Sequence, residues 1–272
     1  MKIYFIGAGP GDPELITLKG LNILKQADIV IWAGSLVNPE ILTYCRDEVE
    51  TFDSAGLNYD EVIAIYKKNS EFDGIIARIH TGDPSIYGAI QEQIDFCRKE
   101  KIDWEVIPGV SSFQAAAAVL GQELTLPQVS QTVILSRAAG RTPVPEKESI
   151  EKLAALKASL ILFLSVSQIE KLTEKLAESY GADAPCAVVY RASWPDQKIV
   201  RGRLNDIAHR VKAEGITKQA LIVVGEVLRA QDEPLFYEKS KLYDPDFSHG
   251  CRDAVDEAAG SKTDSKGSRG IS

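Results

Sequence analysis

The sequence predicts an α/β protein of two α/β domains: the first a mostly parallel sheet with helices on both faces, the second a mixed sheet. Three observations carry this. From Lys2 to Leu120 short apolar runs alternate with helical stretches across short connections, the pattern of a parallel sheet covered on both sides. Around Gly121 to Gln131 that rhythm changes. In the first half the runs end in turns rich in Gly, Ser and Asp, which is where open α/β sheets bind ligands.

The elements follow in order. Lys2 to Ile6 is a short buried strand that breaks into Gly7-Ala8-Gly9-Pro10-Gly11-Asp12-Pro13. Thr17 caps a helix to about Gln26, with Leu18, Leu21, Ile23 and Leu24 on its inner side. Asp28 to Trp32 is a second strand, ending in Ala33-Gly34-Ser35, and Pro39 opens a short helix to about Tyr44. Asn58 precedes a helix from Tyr59 to Lys68. Asp73 to His80 is a third strand, broken by Thr81-Gly82-Asp83-Pro84. That turn reads as the start of a helix to about Lys99, with Asp83 as cap and Pro84 in the first turn. Trp104 to Ile107 leads through Pro108-Gly109-Val110-Ser111-Ser112 into an alanine-rich helix, Phe113 to Leu120.

Beyond Gln131 the pattern predicts a strand over Thr132–Ser136, a polar loop from Arg137 to Pro145, and a helix near Ser149 to Leu156. A strand over Leu160–Leu164 follows, then a helix to about Tyr180 capped by Ser167. Cys186–Tyr190 is a strand, Lys198–Arg203 an extended, half-exposed arm, Asn205–Lys212 a helix and Gln219–Gly225 the last strand. The expected domains are 1–120 and 121–230, with an extension over 231–272. Its composition predicts disorder from about residue 256.

Hydrophobic content of 44% and charged content of 26% are ordinary for a globular protein. The net charge of −8 argues against non-specific binding to nucleic acid or to an anionic membrane, so an anionic substrate needs a local group of Arg and Lys. No apolar run approaches a membrane span or a signal-peptide core. Cys45, Cys97, Cys186 and Cys251 are scattered without paired spacing, which suggests neither a disulfide framework nor a zinc site. A reduced, cytoplasmic enzyme that needs no metal fits these features.

The opening glycines do not read as a dinucleotide fingerprint. They fall at Gly7, Gly9 and Gly11, and the sixth position of the motif is Asp12, a carboxylate that would repel a pyrophosphate. The second strand also lacks a terminal acid to hold a ribose. Thr81 to Pro84 and Ser111-Ser112 offer further small or polar turns on the same sheet edge, and together the three describe a cleft. Arg137 and Arg141 bracket a glycine in a loop leaving a strand, where guanidinium groups can bind carboxylates. Trp194 is either a lid packed on the core or a face for a flat ligand. His80, His209 and His249 have no visible Ser or Cys partner, so a hydrolytic triad has little support. The residues suggest an enzyme that positions reactants.

With those motifs in view, the chain resembles the tetrapyrrole methyltransferases, which use S-adenosylmethionine. The resemblance rests on Gly7 to Pro13, on His80 to Pro84 with Tyr87-Gly88, and on Pro108 to Ser112, and it covers about residues 2 to 230. Ala33 to Val37, Thr132 to Arg137 with Gly140 to Pro143, and Arg191 to Asp196 are most similar to the branch that methylates precorrin-4 at C-11 in cobalamin biosynthesis. The resemblance implies two α/β domains, commonly in a homodimer, with S-adenosylmethionine folded between them. By matching position it implies donor contacts from Pro10, Thr81, Gly82, Asp83, Ile86, Ser111 and Ser112. From the second domain it implies Leu164, Tyr190, Arg191, Ala192, Gln219 and Ala220. Ser35, Arg137, Arg141 and Trp194 are the expected substrate contacts, with precorrin-4 or cobalt-precorrin-4 as the tetrapyrrole. Related uroporphyrinogen methyltransferases carry an acid after the second strand; here Gly34-Ser35 stands there, so no acid or base is assigned. A Rossmann NAD(P)-dependent oxidoreductase, a non-catalytic carrier of a tetrapyrrole or corrin, and another precorrin methylase are the alternatives.

Overall fold

Two five-stranded sheets, one after the other along the chain, make up the computed structural model. It describes residues 1–248, 250 and 252; the tail expected to be disordered from about 256 lies outside them, as do His249 and Cys251. The first sheet contains β1 (Lys2–Gly7), β2 (Ile29–Trp32), β3 (Glu50–Asp53), β4 (Ile75–His80) and β5 (Asp103–Ile107). Their order is β3-β2-β4-β1-β5 and every pairing is parallel. Parallel neighbours need crossovers, and α1 (Leu18–Leu24), α2 (Tyr59–Lys68) and α3 (Gln91–Glu100) occur within them. The buried residues separate by strand alternation onto two faces. Ile3, Phe5 and Ile76 meet α2 and α3, while Ile6, Ala77 and Ile79 pack on the side of α1.

The second sheet is mixed, as its sequence implies. Its strands are β6 (Val133–Arg137), β7 (Ser159–Phe163), β8 (Pro185–Tyr190), β9 (Lys198–Arg203) and β10 (Ala220–Val224), in the order β6-β7-β10-β8-β9. Only β6 and β7 run parallel; the other pairings are antiparallel. The last strand made is thus a central one. Helices α5 (Ile150–Ala154), α6 (Ile169–Tyr180) and α7 (Ile207–Ala213) accompany it. One face of the sheet buries Leu160, Leu162, Ile222 and Val224. The other buries Ile161, Phe163, Val189 and Leu221 against Ala115, Ala116 and Leu120 of α4 (Ser112–Leu120). Helix α4 leaves the first sheet and packs on the second, and so joins the two mechanically.

Four local features differ from expectation; the first is Leu18, expected on the inner side of α1 and 73% exposed. Glu50-Thr51-Phe52-Asp53 has one half-buried residue and no apolar run, yet it forms strand β3, an edge strand held only by β2. The helix expected from Pro84 begins at Gln91, without a side-chain cap. Tyr87 and Ala89 hold φ of +56° and +49°, which no α-helix accommodates, so 83–90 is a shaped loop. Ser167 lies inside a 3-10 turn, Val166–Gln168, and does not cap α6. Among the described residues no helix is long and apolar enough to cross a membrane.

Candidate active site between the two sheets

Strands β4, β1 and β5 are neighbours, so the turns that follow them emerge side by side at one sheet edge. They are joined backbone to backbone. Gly82 N–H donates to the Gly9 carbonyl at 2.7 Å, and Gly9 N–H returns a bond to the Gly82 carbonyl at 3.3 Å. A Cβ on Gly7 would stand 2.6 Å from both the Gly109 Cα and the Gly82 carbonyl oxygen, so the approach of these turns depends on that residue having none. Asp83 completes the joint. One carboxylate oxygen accepts from Ser85 N–H at 2.8 Å, the other from Gly109 N–H at 2.8 Å. Burial pushes this carboxyl up, but the hydrogen bonds from Ser85 and Gly109 outweigh it and hold the pKa below the ordinary value. Asp83 therefore braces the second turn against the third and does not cap a helix. Ser111 is buried at the start of α4, its N–H bonded to the Gln114 side chain.

Above this edge stands a cavity of about 440 Å³, within the range of small-molecule sites. Its first wall includes Pro10, Thr81, Gly82, Asp83, Ile86, Ser111 and Ser112. The facing wall includes Leu164, Arg191, Ala192, Gln219 and Ala220, over an apolar lining of Phe163, Val189 and Leu221. Tyr190 does not line it: Val189 faces the cavity, so the next side chain turns to the other face of the sheet, where Tyr190 packs with the Leu160 cluster. Four lining residues, Tyr87, Leu164, Arg191 and Gln219, hold φ of +56°, +53°, +46° and +54°. Such conformations cost about 1–3 kcal/mol each and concentrate at functional sites. Leu164 is 72% exposed there, an apolar side chain held at the cavity mouth.

The two walls are tied by side chains. Trp194 Nε1 donates to the Pro10 carbonyl at 2.9 Å, and Asp12 N–H donates to Ser193 Oγ at 3.0 Å. A Cβ on Gly11 would fall 2.0 Å from the indole, while the Arg191 guanidinium lies 3.8 Å from the ring centroid on the Trp194 side. Gln219 Nε2 reaches the Ser35 carbonyl at 2.7 Å. Tyr87 closes the gap over Phe163, ring centroids 5.3 Å apart. Trp194 lines the cavity while locked onto the glycine loop; Ser35 is exposed beside it and does not line the cavity.

Arg137 and Arg141 also lie outside the lining. Arg137 donates to the Thr142 carbonyl at 3.1 Å and the Pro143 carbonyl at 2.7 Å, which folds its own loop. Arg141 is exposed on that loop. Two of the lining residues to which the sequence assigned no site role are Arg78 and His80, both buried on β4. The clue available was a lone arginine within Ile-Ile-Ala-Arg-Ile-His, since charged residues are seldom buried without reason. Burial, with the Arg78 charge beside it, pushes the His80 imidazole down to about 3, so it is neutral. Near the tip of β2 an acid does appear, from β3: Asp53 accepts from Gly34 N–H at 2.9 Å and Ala55 N–H at 2.8 Å, bonds that lower its pKa. Among the described residues, no group of His, Cys, Asp and Glu is placed to hold a metal ion.

The family model for tetrapyrrole (corrin/porphyrin) methylases matches residues 2–208. This chain belongs to that family. A cobalt-precorrin-4 C(11)-methyltransferase of Methanocaldococcus jannaschii is 54% identical over 252 residues, 92% of this chain and 96% of that protein. The solved structure of a cobalt precorrin-4 methyltransferase of cobalamin biosynthesis superposes with a TM-score of 0.81 at 44% identity, covering 84% of this chain and 95% of that one. A uroporphyrin-III C-methyl transferase of Thermus thermophilus, solved in complex with S-adenyl homocysteine, matches with a TM-score of 0.70 at 26% identity, over 85% and 100% of the two chains. At these TM-scores the two solved methylases share the overall fold described above.

Proposed function

We propose that this chain transfers a methyl group from S-adenosylmethionine to C-11 of precorrin-4, in its cobalt-bound or metal-free form, giving the precorrin-5 stage of cobalamin biosynthesis. The observation that carries this is the 54% identity, over nearly the full length of both chains, to an enzyme named for that reaction. The cavity suits the donor. Its turns present backbone groups and hydroxyls, its far wall is apolar, and its volume of about 440 Å³ accepts a nucleoside-sized molecule. In this reading Pro10, Thr81 to Asp83, Ile86, Ser111 and Ser112 hold the donor from the first sheet. Leu164, Arg191, Ala192, Gln219, Ala220 and the backbone at Tyr190 hold it from the second.

When bound, S-adenosylmethionine supplies a methyl on a sulfonium, and its thioether leaves without protonation. What the chain must do is hold the two reactants in line and close, which can be worth about 7–11 kcal/mol of the barrier. Rigid, interlocked turns serve that purpose, and the apolar wall keeps water from competing. In this reading Arg141, exposed on its loop, offers a guanidinium to a peripheral carboxylate of the ring, and Trp194 ties the second wall to the first. The test is incubation with methyl-labelled donor and precorrin-4, with and without cobalt, reading the methylated carbon by NMR. Label at C-11 supports the reading; label at another carbon, or none, refutes it. The homodimer is tested separately by sedimentation equilibrium.

A further inference from the structure

The cavity lining contains a cation with no counter-ion. Arg78 is 9% exposed and His80 7%, two residues apart on β4, so they share one face of the strand. Arg78 Nη1 donates to the Ile31 carbonyl at 3.3 Å and to Ser54 Oγ at 2.9 Å, both neutral acceptors. Its Nε is buried without any partner, and so is His80 Nε2. Among the described residues no carboxylate pairs with Arg78; the other lining arginine, Arg191, is paired with Asp196. The neutral His80 offers no compensating charge. An arginine stays ionised in a protein, and a buried charge is costly unless it is paired.

We propose that Arg78 is the counter-cation of a ligand carboxylate, making a carboxylate subsite on the β2 side of the cavity. A guanidinium presents a planar fork that a carboxylate matches with two bonds. On the methyltransferase reading, on which this inference rests, two ligands carry such a group: the amino-acid end of the donor and the acidic side chains of the tetrapyrrole. Arg78 reaches toward β2 and the end of β3, whereas the Ser111-Ser112 turn follows β5 at the opposite edge of the sheet. The subsite is therefore separate from the turn at the start of α4.

Full-length wild type, Arg78→Met and Arg78→Lys are titrated with S-adenosylhomocysteine, with 5′-methylthioadenosine (the same nucleoside thioether without the amino acid) and with uroporphyrin III. Thermal unfolding of each is recorded alongside. The expected result is a loss of about tenfold or more in Arg78→Met for the ligand that supplies the carboxylate. Binding of 5′-methylthioadenosine should stay within twofold, and Arg78→Lys should retain part of the affinity. Loss confined to S-adenosylhomocysteine assigns the carboxylate to the donor, and loss confined to uroporphyrin assigns it to the ring; either supports the subsite. Unchanged binding of all three ligands overturns it. An equal loss for all three, 5′-methylthioadenosine included, also overturns it, because Arg78 is then structural. Wild type that binds neither S-adenosylhomocysteine nor uroporphyrin overturns the methyltransferase reading itself.

Discussion

The indole nitrogen of Trp194 donates to the carbonyl of Pro10 at 2.9 Å, across 184 positions of sequence. This bond fastens a turn of the second sheet to the glycine loop of the first, and the cavity lies beside it. Trp194→Phe keeps a ring against Gly11 but removes the donor. A neutral hydrogen bond is worth about 1 kcal/mol net, so global stability should fall by roughly that amount. The dissociation constant for S-adenosylhomocysteine should rise several-fold, because the walls are no longer held at one spacing. Calorimetric titration beside thermal unfolding checks both. Unchanged affinity would mean that the tie does not set the cavity.

Asp83 is the brace between two turns. Asn at this position keeps one acceptor but turns an NH₂ toward a backbone N–H, so either the Ser85 or the Gly109 bond is lost. Asp83→Asn should destabilise the chain by about 1–3 kcal/mol. The pH dependence follows from the lowered pKa. The carboxylate's contribution is complete above its unfolded pKa and is lost as pH falls through the folded value. Denaturant titrations of wild type and variant should therefore converge toward strong acid. Parallel curves down to pH 2 would refute the assignment.

His80 gives a dependence in a different window. Its folded pKa lies near 3 against an unfolded value near 6.5, so between those limits the unfolded chain binds the extra proton. Stability should fall as pH drops from 6.5, by about 2 kcal/mol at pH 5 from this group alone. His80→Gln should flatten that part of the curve. A wild-type stability that does not change between pH 7 and pH 5 would contradict the burial of a neutral imidazole.

The two loop arginines should separate. Arg137 holds the carbonyls of Thr142 and Pro143, so Arg137→Ala should loosen that loop, seen as faster amide exchange over 138–142. Arg141 is exposed, and Arg141→Ala should leave stability within about 0.5 kcal/mol. It should raise the Michaelis constant for the tetrapyrrole far more than that for S-adenosylmethionine. Equal effects on the two constants would remove Arg141 from the substrate site.

Gly7→Ala tests the interlock of the turns. The new methyl would stand 2.6 Å from backbone atoms of Gly82 and Gly109, neither of which has a side chain to move aside. Overpacking of this kind costs about 1–3 kcal/mol or more. A drop in melting temperature with loss of S-adenosylhomocysteine binding is expected, whereas a fully stable variant would show that the turns can part.

Much of this arrangement was legible in the chain because burial writes itself as period. The apolar runs at β1, β4, β7 and β10 and the capped helix α2 are local signals, and local signals suffice to place them. The three turns could be grouped because each follows a strand of one sheet. What could not be read is what depends on partners distant in sequence. Strand β3 exists because β2 offers it a ladder. Asp83 looks like a cap until Gly109 is known to lie beside it. Trp194 could be a lid or a ligand face until Pro10 and Gly11 are brought against it. Arg78 and His80 sit in a strand whose apolar neighbours hide them, and only the cavity shows what they border.

The place of β10 has a consequence for how the chain is made. The first sheet is assembled from residues 2–107, an unbroken segment that can close while the rest is still being synthesised. The second sheet has no such order, since β10 lies between β7 and β8. Until residue 224 leaves the ribosome, β7 and β8 each lack a neighbour, and those two edges stay open. A nascent chain halted just before β10 should therefore hold a finished first sheet beside a sticky, unfinished second one.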